Sequence, residues 1–232
     1  MPRRIMVFIA LAVALALLFV RLGVWQLDRL AERRARNAVT AARLAQGELP
    51  FEQVRREAEP TFRRVVLGGT PDTANEFMVA GRSRNGSPGV HIMTPVRVPG
   101  SDTAVLVNRG WVYAADAATA ELAGWRERRV VFHGYTNQFS PSLVAPVIKG
   151  RSLRPLGVQG VQRLVPYPVR DQYLVSQDSQ TDQTPARLPL PALDDGPHLM
   201  YAIQWYAFAA IALIGSAVVA RRALKQSLVT SH

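Results

Sequence analysis

The residues with the clearest chemical potential open the second of two long apolar stretches. His198, Tyr201, Ala202 and Trp205 are spaced at i, i+3, i+4 and i+7, so they share one face if this stretch is helical. Imidazole is a common metal ligand, and an imidazole among aromatic and small side chains could hold a flat metal cofactor. The same face could instead serve only as an anchor at a membrane surface.

A second polar and aromatic pair, Trp25 and Gln26, ends the first apolar stretch. If the two stretches cross a membrane as an antiparallel pair, Trp25 and Gln26 lie at the same depth as His198–Trp205. The two groups could then line one shared site, with Gln26, Trp25, Tyr201 and Trp205 as neighbours of a ligand on His198. Their alternative role is that of an aromatic belt at the membrane surface.

The first apolar stretch covers residues 5–25 and carries a single charge, Arg21. A helix of that length extends about 31 Å, close to the thickness of the bilayer core. We predict a transmembrane helix over 5–25 that continues as a helix through Ala31–Ala45, until Gly47 and Pro50 end it. A cleaved signal peptide is the alternative, but the small-x-small patterns lie inside the apolar run.

The second predicted transmembrane helix covers residues 198–220 and is followed by Arg221 and Arg222. Asp194 and Asp195 precede it, and this asymmetry favours a cytoplasmic tail over 221–232. Two spans then place the N-terminus in the cytoplasm as well, and the middle domain, 26–197, outside it. Taken alone, the arginines that follow the first helix favour the opposite orientation: Arg21, Arg29, Arg33, Arg34 and Arg36.

The middle domain is predicted to be rich in β-structure between residues 62 and 176. Short runs of alternating or β-branched residues indicate strands at 62–68, 76–80, 91–98, 103–112, 129–138, 161–165 and 172–176. Asn85-Gly86 is a strong hairpin signal, and 116–125 is interpreted as a short helix. The predicted fold class is a membrane protein whose two transmembrane α-helices flank an extracytoplasmic, mainly antiparallel and barrel-like α+β domain.

Two segments of the middle domain lack clear periodicity. Residues 141–160 are interpreted as a long exposed loop, either a docking surface for a partner or an insertion with few constraints. Residues 184–197 contain four prolines and are interpreted as a semi-extended linker into the second membrane helix.

Composition excludes several classes of function. The formal net charge is +11, nearly all of it from arginine, but no dense basic stripe with interleaved aromatics indicates a nucleic-acid partner. Part of this charge flanks the apolar stretches, where arginine suits the lipid bilayer. The chain has no cysteine, which removes thiolate metal sites and Cys-x-x-Cys chemistry. It also lacks Gly-x-Ser-x-Gly and His-Glu-x-x-His motifs, so we expect no enzymatic activity.

Four segments together resemble the surfeit locus protein one family of cytochrome c oxidase assembly factors. They read Leu-Gly-Val-Trp-Gln-Leu-Asp-Arg at 22–29, Gly-Val-His-Ile-Met-Thr-Pro at 89–95, Val-Leu-Val-Asn-Arg-Gly-Trp-Val at 105–112 and His-Leu-x-Tyr-Ala-x-Gln-Trp at 198–205. The likeness covers nearly the whole chain. It departs at Tyr113, where a proline is usual, and at Tyr206, where a phenylalanine is usual.

This resemblance implies a non-enzymatic assembly factor in the bacterial inner cell membrane. It implies binding of haem a and its handover to the catalytic subunit of a haem–copper oxidase, with haem a synthase as a further partner. The residue that matches the family's proposed iron ligand is His198. The alternative is a haem-free membrane scaffold that stabilises oxidase assembly intermediates.

Other polar residues receive weaker interpretations. Arg21 and Arg29 could pair with haem propionates or contact lipid headgroups. Asn108–Trp111 is interpreted as structural, and His91 and His133 as polar residues of the sheet.

Overall fold

The chain has a long helix near each end and one mixed β-sheet between them in sequence. The structure is a computed structural model, which describes residues 3–125, 127–139 and 144–229. Helix α1 covers Arg3–Ala45 and helix α4 covers His198–Val229. The chain forms two compact units, one built from Met1–Thr40 with Leu193–His232 and the other from Ala41–Ala192. We call them the helix unit and the sheet unit.

Helix α1 confirms the predicted continuation of the first apolar segment. It runs without a break past Trp25 to Ala45, two residues before Gly47. Both α1 and α4 are long and apolar enough to cross a membrane, as the fold prediction requires.

The sheet unit is built on ten strands and two short helices. The strands are β1 (Leu49–Pro50), β2 (Arg64–Gly68), β3 (Thr70–Pro71), β4 (Phe77–Arg84), β5 (Ser87–Arg97), β6 (Ala104–Tyr113), β7 (Val131–Gln138), β8 (Val147–Lys149), β9 (Ser152–Arg154) and β10 (Val169–Ser176). The short helices are α2 (Phe51–Val54) and α3 (Val158–Val161), with single 3₁₀ turns at Thr73–Asn75 and Ala123–Trp125.

Pairing in the sheet is mainly antiparallel, which confirms that part of the prediction. The strand order is β1-β2-β7-β10-β6-β5-β4-β9-β8, with β3 on β5, and only the β1–β2, β10–β6 and β4–β9 pairs of the described strands are parallel. The path of described strands ends at β1 and β8. The barrel-like part of the prediction is therefore not seen as a closed ring of strand pairs within the described residues.

Strand β6 is central because both of its faces are buried. Val105 and Val107 pack into one cluster with residues of α2, whereas Ala104 and Leu106 pack into another with Val161 of α3. Successive side chains of a strand point to opposite faces, so burial on both sides requires an uninterrupted apolar run. This requirement explains the continuous apolar sequence at 104–107.

Three predictions in the sheet unit are wrong. Residues 116–125 form a turn and a single 3₁₀ turn instead of a helix, because Asp116 accepts hydrogen bonds from the backbone of Ala118 and Thr119 while Leu122 and Trp125 pack on the sheet. The weak strand predicted at 161–165 is instead the end of α3 and the turn after it.

The third error is the long loop at 141–160, of which residues 141–143 lie outside the described residues. Beyond them, the segment contributes β8, β9 and most of α3, and Leu153 is fully buried. Strands of three residues are too short to show an alternating pattern, so no periodicity indicated them. Whether a partner docks on this segment stays a prediction.

Candidate ligand site at the head of the helix pair

Helices α1 and α4 share a seam with the spacing of a coiled coil. The shielded residues recur in alternating steps of four and three, which is the spacing that keeps one stripe facing a partner helix. We call this stripe the helix seam. On α1 it comprises Ile5, Ile9, Ala12, Ala16, Phe19, Gly23, Gln26, Leu30, Arg33, Asn37 and Thr40; on α4 it comprises His198, Ala202, Trp205, Ala209, Ala212, Ser216, Val219 and Ala223.

Small residues are frequent along the helix seam, as is common between membrane helices. Five of the α4 residues in the seam are alanine or serine. On α1, a Cβ added to Gly23 would lie 2.7 Å from Cε1 of Tyr206, so a larger residue there requires the Tyr206 ring to shift. Phe19 stacks on Trp205 with ring centroids 5.6 Å apart.

At the head of this seam, Gln26 contacts His198. The Gln26 Oε1 and His198 Nδ1 atoms are 2.9 Å apart, joining residues 172 positions apart in the chain. Gln26 is only 9% exposed, and the imidazole is half-buried. The contact confirms the prediction that Gln26 lies level with the start of the second apolar segment. Within the described residues, no hydrogen bond joins the second ring nitrogen of His198 to the protein.

Ion pairs hold the segment before α4 against α1. Arg33 Nη2 lies 2.7 Å from Asp194 Oδ1, and Arg34 Nη2 lies 2.6 Å from Asp195 Oδ2. Asn37 adds a hydrogen bond of 2.8 Å to the Asp194 carbonyl. The hydrogen bond from Arg34 lowers the pKa of Asp195, so this carboxylate stays ionised. We call these five residues the charged clamp.

The structure does not bring all the predicted site residues together. Gln26, His198 and Trp205 lie on the helix seam, whereas Trp25 is 43% exposed and Tyr201 is 47% exposed. Because successive helix residues are rotated by about 100°, the neighbour of Gln26 must point away from the seam. Tyr201, three residues after His198, lies at the edge of the predicted face and also points outward.

The two arginines predicted as propionate partners lie outside the seam. Arg21 is exposed, and Arg29 lies over the Trp25 ring at 5.7 Å while pairing with Glu32 at 2.8 Å. The charged clamp, by contrast, was missed. Its signal in the sequence is the match of Arg33-Arg34 with Asp194-Asp195, each beside the outer end of a predicted span.

The Asn108–Trp111 segment is structural, as interpreted from the sequence. Arg109 is buried in β6 and forms an ion pair of 3.0 Å with Glu76, itself buried. Gly110 has φ 130°, and a Cβ there would collide with the carbonyl of Ala186, which pairs with Trp111. These contacts fix the end of β6 and the start of the proline-rich segment.

His91 and His133 both lie on strands, as predicted. Burial, with a contribution from Arg82, lowers the pKa of His91 to about 4. His133 is half-exposed and pairs with Glu48 at 2.9 Å. Among the described residues no three histidine or acidic side chains gather as a metal site.

The matches to known proteins span the region that contains the four segments of the resemblance. A sequence model of the SURF1 family matches residues 13–210. A SURF1-like protein of Rickettsia felis (strain ATCC VR-1525 / URRWXCal2) is 24% identical over 212 residues, which cover 88% of this chain and 92% of that protein.

Proposed function

The chain belongs to the SURF1 family, whose members are generally oxidase assembly factors, and we propose that it binds haem a and helps to insert it into the catalytic subunit of a haem–copper cytochrome c oxidase. Under this proposal the haem is cargo, and the chain catalyses no reaction on it. The catalytic subunit receives the haem, and haem a synthase supplies it.

The observation that carries the proposal is the Gln26–His198 pair at the head of the helix seam. Haem brings four nitrogen ligands of its own, so a carrier needs to supply only an axial ligand. A single half-buried imidazole fits this requirement, whereas a bare metal ion would need more protein ligands. His198 is the residue that would hold the iron, and the apolar helix surfaces around it suit the flat macrocycle.

The proposed location is the bacterial inner membrane, with both termini in the cytoplasm and the middle domain outside. The charged clamp supports this orientation. As unpaired charges, Arg33 and Arg34 favour the opposite orientation. In the structure each of them is paired with an aspartate beside α4. A reporter that is active only outside the cytoplasm, inserted in the middle domain, should be active; an inactive reporter would reverse the orientation.

The haem proposal is tested by optical spectroscopy. Protein purified from cells that make haem a should carry a haem spectrum, and His198→Ala should lose it. His133→Ala is the matched control, because His133 is a half-exposed histidine of the sheet unit, and it should keep the spectrum. Wild-type protein without haem would leave the haem-free scaffold as the function. An unchanged spectrum in His198→Ala would mean another ligand.

A further inference from the structure

The hydrogen bond between Gln26 and His198 indicates which ring nitrogen of His198 carries the proton. An amide oxygen can only accept, so the Oε1 atom of Gln26 at 2.9 Å requires a proton on Nδ1 of His198. A neutral imidazole carries one ring proton, so the lone pair then lies on Nε2. Within the described part of the chain, Nε2 makes no hydrogen bond to protein.

We propose that Gln26 is a positioning residue that holds His198 as its Nδ1–H tautomer and so makes Nε2 the nitrogen that binds a metal. The inference rests on the proposed function, because it specifies how His198 would ligate iron. Gln26 itself touches neither iron nor haem and acts through the imidazole.

The imidazole of His198 needs a hydrogen-bond partner because binding a metal through Nε2 requires the Nδ1–H tautomer. A free imidazole side chain favours the other tautomer. Free neutral imidazole side chains in water favour the Nε2–H form, in which Nε2 has no lone pair to give. Metal-binding histidines commonly donate their other N–H to a carbonyl or carboxylate, which fixes both tautomer and ring orientation. The Gln26 amide supplies such a carbonyl and adds no charge to an apolar surrounding, where a charge is costly.

The surrounding contacts hold α1 and α4 together on both sides of the Gln26–His198 pair. On the membrane side, Phe19 stacks on Trp205 and Gly23 packs against the Tyr206 ring. On the other side, the charged clamp ties Arg33 to Asp194. Because α1 and α4 are held on both sides of the pair, Gln26 cannot slide past His198 without breaking packed contacts.

The first test reads the tautomer without haem. Full-length protein with ¹⁵N-labelled histidine is purified in detergent from cells that make no haem a. The NMR signals of the His198 ring nitrogens are assigned as those that are absent from the spectrum of His198→Ala. Wild-type His198 should show a protonated Nδ1 and an unprotonated Nε2. Gln26→Leu, which has no acceptor, should shift the ring toward Nε2–H.

The matched control is Gln204→Leu, because Gln204 is an exposed glutamine of α4 outside the helix seam. It should leave the His198 signals unchanged. An Nε2–H tautomer in the wild type would overturn the inference, and so would identical His198 signals in wild type and Gln26→Leu.

The second test measures binding of haem a added in detergent. Gln26→Leu should bind about 10–100-fold more weakly than wild type, as is typical when a partner of a metal ligand is lost. Equal binding by wild type and Gln26→Leu would refute the positioning role and leave the proposed function intact. If wild type shows the Nδ1–H tautomer but binds no haem, the proposed function fails while the tautomer assignment stands.

Discussion

Two histidines of the described chain contact a side-chain amide, one in each unit, and the two amides face them with opposite ends. In the helix unit the oxygen of Gln26 faces Nδ1 of His198 at 2.9 Å. In the sheet unit the nitrogen of Asn108 faces Nδ1 of His91 at 3.3 Å. An amide nitrogen donates, so His91 accepts at Nδ1 and carries its proton on Nε2. The two rings are therefore opposite tautomers.

The backbone around each amide explains the difference. In β6 the Asn108 oxygen accepts a hydrogen bond of 3.1 Å from the N–H of Gly110, where the strand is distorted, so only the amide nitrogen is left for His91. In the middle of α1 the backbone N–H groups are used within the helix, so the Gln26 oxygen remains available to His198. In the sheet unit, His91 has a structural role, whereas in the helix unit Nε2 of His198 remains for a ligand.

The largest expected effect concerns buried charge in the sheet unit. Arg109→Met leaves Glu76 buried without its cation, and we expect a loss of about 3–5 kcal/mol in the free energy of unfolding. Chemical denaturation of the purified full-length protein, followed by circular dichroism, measures it. Arg64→Met is the control, because Arg64 is an exposed arginine of β2, and should cost less than about 0.5 kcal/mol. Similar losses for both variants would mean that the sheet does not depend on this buried pair.

The next effect concerns packing in the helix unit. Gly23→Val forces a side chain into the Tyr206 ring, and we expect the contact between α1 and α4 to weaken by about 1–3 kcal/mol. The chain has no native cysteine, so cysteines introduced at seam positions 16 and 209 can report contact by disulfide yield. Gly215→Val is the control, because nothing lies within 4 Å of a Cβ there. An unchanged yield in Gly23→Val would argue against close packing at this level.

A further effect depends on pH and concerns His91. The folded-state pKa of His91 is about 4, below the ordinary 6.5, so between these values the unfolded chain binds the extra proton. Stability should therefore be complete above pH 6.5 and fall as pH decreases toward 4, by up to about 1.4 kcal/mol per pH unit. His91→Gln should flatten this slope in denaturation curves recorded at pH 7, 6 and 5. An equally steep slope in the variant would assign it to another group.

The smallest effect concerns the charged clamp. Its ion pairs are exposed, so Asp194→Asn with Asp195→Asn should reduce thermal stability only slightly. The reduction should be largest at low ionic strength and vanish in about 1 M salt, where screening acts over a few ångströms. Asp182→Asn, an exposed aspartate of the sheet unit, serves as control. A loss that persists in high salt would show that the clamp acts through its hydrogen bonds instead of its charge.

Sequence reasoning recovered features that repeat over many residues. The two apolar helices and the alternating or β-branched runs that became β5, β6 and β7 were all predicted, because burial selects apolar residues along each segment. Features set by few residues or by distant partners were missed. Strands β8 and β9 have three residues each, and Asp116 caps a turn instead of a helix.

The candidate site shows the same division. Helical periodicity and the antiparallel arrangement were enough to place Gln26 level with His198. They could not show which amide atom faces the ring, because that depends on hydrogen bonding around Gln26 in the folded pair. They also could not place Trp25 and Tyr201 outside the helix seam, since the position of the partner helix decides which residues of a face are covered.

The partners in the charged clamp are far apart in the sequence, so the ribosome synthesises them at different times. Arg33 and Asp194 are 161 residues apart, so at about 5–20 residues per second a ribosome adds the aspartate roughly 10–30 s after the arginine. During that interval α1 must remain in the bilayer without α4, and its apolar segment is the more hydrophobic of the two. Helix α4, with His198 and its small residues, emerges when a finished neighbour is ready to receive it. The order of synthesis thus brings His198 to a helix that already carries its partner, Gln26.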